Sequence, residues 1–314
     1  MTNDIELGPG SMIQIEQTKK MNVILDASQY DMFLLCHKRF DYRYNMNKTL
    51  PIKAVPLDKG LLVHIACETY YEALRTGAKY DWAVNTALMK CKAAGAKSDL
   101  DNDILNVVYS TMEHYFDHWR VADQQFEIVA VENPFLYLLF ENDEIRIYMA
   151  GKIDLIVSDN KYTNLPYDHK SFERTSPINE MSNQFKNYCN AINSNTLIVN
   201  RIGFQKTLPA EQKFLRVPVQ YDHLKIADWK ENVVLNVMEY IECRITDKWP
   251  MNETSCDKYH RQCEYYELCN SSGQEAKDFK LGINYVDAER WDVSSALKKS
   301  SEVVDSIKDI NNQG

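Results

Sequence analysis

The sequence predicts a mixed α/β (α+β) protein, a core sheet flanked by helices and preceded by a helical N-terminal portion. Three observations carry that prediction. The first 120 residues keep a helical apolar period, the period changes to that of strands near Phe126, and helical patterns return on both sides of the later strands. Residues 1–20, with Gly8-Pro9-Gly10-Ser11 and no sustained period, read as a flexible leader. From Ser28, a plausible N-cap, to Tyr44, the residues Tyr30, Phe33, Leu34, Phe40 and Tyr44 recur at helical spacing, with Cys36 in mid-helix. A second helix runs from Gly60 to Gly77 and carries His64 on the face of Glu68 and Tyr71. Two more helices follow, over 81–94 and 101–121. Strands are expected over 126–140, 145–157 around Gly151, and 162–169 after the Asp159-Asn160 turn, together an antiparallel meander. A helix over 177–191, strands over 196–202 and 214–221, and a long helix over 222–246 complete the core. Residues 21–272 form one domain in this reading, with a cysteine-bearing loop region at 247–272. Residues 273–314 form a charged tail, with a terminal helix expected at 285–310.

Composition bounds the function. The 314 residues are 45% hydrophobic and 26% charged, which excludes low-complexity and wholly disordered chains. No stretch approaches the ~20 apolar residues of a membrane span and no secretory signal is present, so the expectation is a soluble, cytoplasmic protein. A net charge of -9 argues against an indiscriminate nucleic-acid coat but leaves room for a local basic groove. Eight cysteines without a secretory context are better read as core thiols or metal ligands than as disulfides.

The sharpest constellation is Gly151-Lys152-Ile153-Asp154 on one strand and Asp168-His169-Lys170 on the next. Antiparallel neighbours joined by a short turn bring both carboxylates to one place. Converging carboxylates suit a hard cation such as magnesium or manganese, and the backbone carbonyl of His169 could add an oxygen ligand. Lys170 shares a face with Asp168 and would stand where a water is oriented or charge develops on phosphate.

In this set the chain resembles the RecB-like branch of the PD-(D/E)XK nuclease superfamily. The resemblance runs from Ser28 to Cys269 through ordered motifs: S-x-Y-x-x-F-x-x-C-x-x-R-F-x-Y-x-Y from Ser28 to Tyr44, G-x-x-x-H ending at His64, G-x-x-D ending at Asp154, the acidic-x-Lys pair Asp168 and Lys170, and Q-x-x-x-Y from Gln184 to Tyr188. It implies that His64, Asp154 and Asp168 bind Mn2+ or Mg2+, and that Gln184 and Tyr188 contact DNA or support the site. Asp168 stands where many members have Glu. Glu132, on the preceding strand, is a further polar candidate. An imidazole ligand favours manganese over magnesium.

The opening motif with Cys36 and Arg39 is typical of the branch's iron-sulfur exonucleases, in which such a cysteine joins three C-terminal ones around a 4Fe-4S cluster. Here those are Cys256, Cys263 and Cys269, spaced C-x6-C-x5-C where the family often shows a C-x2-C, and they imply a cluster-bearing C-terminal lobe. Four thiolates also suit zinc, although zinc sites usually contain a tight C-x2-4-C chelate. Cys67, Cys91, Cys189 and Cys243 lie in helical patterns and read as core thiols. Between Lys38 and Lys59, six basic residues, Arg39 among them, alternate with Phe40, Tyr42 and Tyr44. Such a stretch suits single strands, whose phosphates want cations and whose bases want aromatic faces. Arg201, Lys206, Lys213 and Arg216 form a second positive segment.

The resemblance implies a metal-dependent DNA exonuclease, on single strands or DNA ends, in recombination, repair, phage DNA processing or CRISPR adaptation. The chain has no Walker motif, so a helicase or adaptation partner would be a separate protein. The alternative is a non-catalytic DNA-end-binding or assembly subunit.

Overall fold

The computed structural model describes residues 20–51, 55–98, 100–205, 207–258 and 261–288. In chain order these form β1 (Met21–Asp26), α1 (Ala27–Leu35), α2 (His37–Phe40), a π-helical turn (Asp41–Asn45), β2 (Lys48–Thr49), α3 (Val55–Arg75), α4 (Tyr80–Gly95) and α5 (Asn102–Trp119). A 3-10 turn (Ala122–Gln125) leads to β3 (Glu127–Glu141), β4 (Ile145–Ser158), β5 (Leu165–Phe172), α6 (Asn183–Ala191), β6 (Thr196–Gly203), α7 (Ala210–Lys213), β7 (Phe214–Gln220) and α8 (His223–Thr246). The last described part holds β8 (Asp257–Lys258), β9 (Arg261–Gln262), α9 (Tyr266–Cys269), α10 (Gln274–Asn284) and β10 (Val286–Asp287). Among the described residues no helix is long and apolar enough to cross a membrane.

The main sheet has the order β1-β4-β5-β6-β7, with β3 also on β4. β4 is antiparallel to β5 and β6 to β7, whereas β5 and β6 are parallel, joined by the crossover through α6. β1 is parallel to the first half of β4, in the register Met21↔Ile145 to Asp26↔Ala150.

The chain divides into two compact units, one from Met1–Ile52, Pro134–Gly151 and Ala227–Gly314, the other from Lys53–Asn133 and Lys152–Ile226. In the first, Val23, Leu25, Tyr30, Phe33, Ile147 and Met149 are buried with Trp229, Val233, Val237 and Tyr240 of α8. A second cluster there gathers Tyr42, Tyr265, Leu268, Leu281 and Tyr285. In the other unit, α3, α4 and α5 bury Tyr70, Tyr71, Met112, Tyr115 and Phe116 with the sheet residues Leu155 and Ile202. Each such side chain contributes about 1.5–3 kcal/mol relative to exposure. Phe185 and Cys189 of α6 cover Leu197, Val199 and Val219. Cys67, Cys91, Cys189 and Cys243 are buried, in keeping with their reading as core thiols.

Several expectations need correction. The first helix starts earlier and is broken. Its cap is Asp26, not Ser28, in a reciprocal box in which Asp26 Oδ1 accepts from the Gln29 amide at 2.7 Å and Gln29 Oε1 from the Asp26 amide at 3.2 Å. Cys36 is not in mid-helix but extended between α1 and α2, at φ -168° and ψ 117°. That backbone lets its Sγ accept the amide of Asn252 at 3.3 Å. β1 was not foreseen, because the three-residue apolar run Val23–Leu25 fits either period. The helix expected from 177 begins at Asn183, α10 stands at Gln274–Asn284, and Val286–Asp287 pairs antiparallel with β2 where the terminal helix was expected to begin. The remainder of the expected 285–310 helix, and the leader apart from Lys20, lie outside the described residues.

Much of the basic and aromatic stretch is engaged within the protein, and Lys53 lies outside the described residues. Phe40 and Tyr42 are buried in the core, Lys38 pairs with Asp41, Lys48 with Asp287 and Lys59 with Glu173. Arg39 forms a two-pronged ion pair with Glu264, at 2.9 and 2.8 Å.

Candidate metal centre

The centre lies within the unit built from 53–133 and 152–226. The β4–β5 register pairs Leu155 with Tyr167, and one step further along it stand Asp154 and Asp168. Opposed residues of an antiparallel pair share a face, so the sequence spacing does bring the two carboxylates together. At this step Asp154 Oδ2 accepts the backbone amide of His169 at 2.7 Å.

His64 on α3 places Nδ1 3.6 Å from Asp154 Oδ2. Glu132 reaches the same point from β3. Its backbone is left-handed, at φ 50°, which is rare for a residue with a side chain inside a strand and re-aims it as a bulge would. Ligand atoms of His64, Glu132 and Asp154 all lie within 4.8 Å of one another. Asp168 is not in that group. Its buried carboxylate faces Lys170 instead, with Nζ 3.0 Å from each oxygen, and Oδ2 has no hydrogen-bond partner among the described residues. The structure thus gathers Glu132, the lesser candidate, with His64 and Asp154, and gives Asp168 to the lysine.

Burial sets the charge state. Desolvation holds the Asp154 carboxyl up, to about 7, against the His169 amide, which stabilises the anion. Asp168 is raised to about 6, again by burial first, with Lys170 opposing. Burial lowers the His64 imidazole, leaving it neutral and able to ligate, while Asp168 and Glu132 act the other way. A half-buried carboxylate, a buried one and a neutral imidazole form an oxygen-rich donor set with one nitrogen, which fits a divalent cation.

Lys170 is held from its other side. Its Nζ donates to Gln184 Oε1 at 2.9 Å, Gln184 Nε2 donates to Tyr188 Oη at 2.9 Å, and Tyr188 Oη donates to the Lys152 carbonyl at 2.6 Å. Tyr188 is buried, so the pair on α6 orients the lysine. Lys152 itself pairs with Glu132.

The glycine of G-x-x-D has a steric reason. A Cβ on Gly151 would stand 2.5 Å from Phe135 Cζ of β3, so only glycine fits under that ring. At Gly60 a Cβ would meet only Ser171 Oγ, at 3.6 Å.

A polar network beneath the centre was not foreseen. The Asn200 amide nitrogen is 2.7 Å from His169 Nδ1 and donates to Tyr115 Oη at 2.7 Å. Tyr115 meets Tyr71 at 2.7 Å, and Arg216 donates to Tyr71 Oη at 3.0 Å and to Asp123 Oδ1 at 2.5 Å. The one local signal was an asparagine inside the run Thr196–Gly203, which is apolar apart from Thr196, Asn200 and Arg201 and whose residues are all buried.

Cys36, Cys256, Cys263 and Cys269, and likewise Arg39, belong to the other unit. All four thiols are free. Cys36 and Cys256 each contribute to raising the Cys269 thiol, after burial, and Cys36 does the same at Cys256. Among the described residues no three of them come within the spacing of ligands to a single ion.

No curated protein sequence matches the chain. The solved crystal structure of SSO0001 aligns with 70% of this chain and 88% of that one at 14% identity, with a TM-score of 0.32, too low for inference. The profile of the PD-(D/E)XK nuclease superfamily matches residues 25–270, most of the sequence and all of the centre just described. The chain belongs to the PD-(D/E)XK nuclease superfamily.

Proposed function

We propose that this protein is a metal-dependent DNA exonuclease of the RecB-like branch, acting on single strands or DNA ends, with residues 21–272 as one nuclease domain. The observation that carries the reading is the convergence of His64, Glu132 and Asp154 beside a lysine fixed by Asp168 and Gln184. His64, Glu132 and Asp154, with Asp168 and the His169 carbonyl, would hold one or two Mn2+ or Mg2+ ions. Such an ion, when bound, lowers the pKa of a ligated water and offsets charge on phosphate. Asp154 and Asp168 shed their protons to present anionic oxygen. Lys170, anchored by Gln184 and Tyr188, orients the attacking water, and its charge favours the developing negative phosphoryl oxygens.

In the same proposal Cys36, Cys256, Cys263 and Cys269 hold a 4Fe-4S cluster. The influence of Cys36 on the Cys256 and Cys269 thiols, and of Cys256 on Cys269, supports it. In a cubane each thiolate binds a different iron, so its sulfurs stand further apart than ligands of one ion. Protein purified without oxygen should be brown and contain iron and sulfide; a colourless protein with stoichiometric zinc would overturn this part.

The nuclease reading is tested with end-labelled linear single-stranded DNA, a circular single strand and Mn2+. The wild type should shorten the linear strand, spare the circle, and lose about 10²-fold or more of its rate as Lys170→Ala. Binding of ends without cleavage by the metal-loaded wild type would favour an assembly subunit.

A further inference from the structure

A cavity of about 240 Å³ opens beside Lys170, between β5, β6 and the start of α6. Among its lining residues are two cations, Lys170 and Arg201, and no acidic residue, although the chain as a whole carries -9. Lys170 and Arg201 are register neighbours on the parallel strands β5 and β6.

Arg201 is the unusual member. It is 9% exposed, and its guanidinium lies 4.6 Å over the Phe172 ring, which in turn fills the space above Gly203. It makes no ion pair with any described carboxylate, unlike Arg39 or Arg216, which each have one. A buried cation without a counter-charge is costly, and a site that keeps one is balanced by an anion from outside. The start of α6 adds to this. Ser182 caps the helix without a side-chain capping bond and lines the same cavity, where the helix terminus favours negative charge. Ile178, Phe185 and Val199 add apolar lining. Phosphate donors and apolar lining in one small cavity match a nucleotide. The volume lies below the ~300–1,000 Å³ of ordinary ligand sites, so it admits one nucleotide rather than a longer segment.

We infer that this cavity binds one nucleotide of the substrate strand next to the cleaved bond, with Arg201 and Ser182 on its phosphate and Ile178, Phe185 and Val199 against its apolar face. The inference rests on the nuclease reading for the identity of the strand. The phosphate could be a terminal monophosphate or an internal diester, and the two are separable.

Binding of deoxynucleoside 5′- and 3′-monophosphates to the full-length chain, measured calorimetrically with chelator present, needs no catalysis. The wild type should bind at least one of them, Arg201→Gln should weaken that binding about tenfold or more, and Arg201→Lys should recover part of it. Ser182→Ala, which removes a hydroxyl with no capping bond to lose, should weaken it less and gives an arm independent of Arg201 folding effects. In cleavage, Arg201→Gln should raise KM with kcat within about twofold. If that rise is confined to oligonucleotides bearing a terminal phosphate, the site reads strand ends; if it appears on all of them, it reads an internal diester. Unchanged nucleotide affinity and KM in folded Arg201→Gln would overturn the inference. Nucleotide binding through Arg201 in a protein that cleaves no DNA would instead retire the nuclease reading and leave the pocket standing.

Discussion

Asp154 and Asp168 stand one step beyond the last ladder pair and do different work. Asp154 is tied to a backbone amide and grouped with His64 and Glu132, while Asp168 is tied to Lys170. Protons compete with cations for both. The carboxyls are held up to about 7 and about 6, so the Asp154 proton opposes metal binding below neutrality. The stabilisation conferred by Mn2+ should therefore be small near pH ~5 and grow as pH rises through the Asp154 value. Without metal the sign reverses for this group: a carboxyl raised from 3.8 to about 7 favours folding at low pH and loses that contribution as pH climbs between those values. Thermal melts across this range with Mn2+ and with chelator check both, and Asp154→Asn should flatten the difference between them. Gln184→Ala removes the bonds that tie Lys170 to Tyr188 and should lower kcat by roughly tenfold, less than loss of the lysine itself, with metal affinity unchanged. Much of this site was legible as residue types at fixed spacing. The split of roles was not, because the left-handed turn at Glu132 and the Asp154 contact with an amide are set by strands meeting in space.

At the scale of elements, the two motif glycines should behave oppositely. Gly151→Ala forces a methyl group into the Phe135 ring and should cost about 1–3 kcal/mol. Gly60→Ala, inside α3 with room for a Cβ, should leave stability unchanged or raise it by up to about 1 kcal/mol. Denaturant midpoints of the two variants decide it. Arg216→Met would leave Asp123 buried without its cation and should cost about 3–5 kcal/mol, loosening the network that joins α3, α5 and β6 beneath His169. The long helices α3, α4, α5 and α8 could be read in sequence because each repeats its apolar face over several turns. β1 and the break at Cys36 could not. One is too short to show a period, and the other depends on a contact with Asn252, 216 residues along the chain. Nor could the sequence show how the basic run from Lys38 to Lys59 is paired, since the acids that neutralise Arg39, Lys48 and Lys59 come from distant sequence.

For the molecule as a whole, the chain passes between its two units at 52/53, 133/134, 151/152 and 226/227. Neither unit is a contiguous stretch, so neither can be expressed as a simple fragment. A chain ending at residue 226 lacks all but the first turn of α8 and uncovers Val23, Leu25, Tyr30 and Ile147. It should be recovered as aggregate, as sedimentation of the expressed product would show. The same threading has a directional consequence. Every residue of the metal centre lies between positions 64 and 188, inside the unit that occupies the middle of the sequence. A translocating unfoldase that pulls the polypeptide from either side meets the other unit before it reaches the centre. The order of mechanical dismantling is thus written into the path of the chain, since a pull from either end breaks into the other unit before it reaches the carboxylates of the centre.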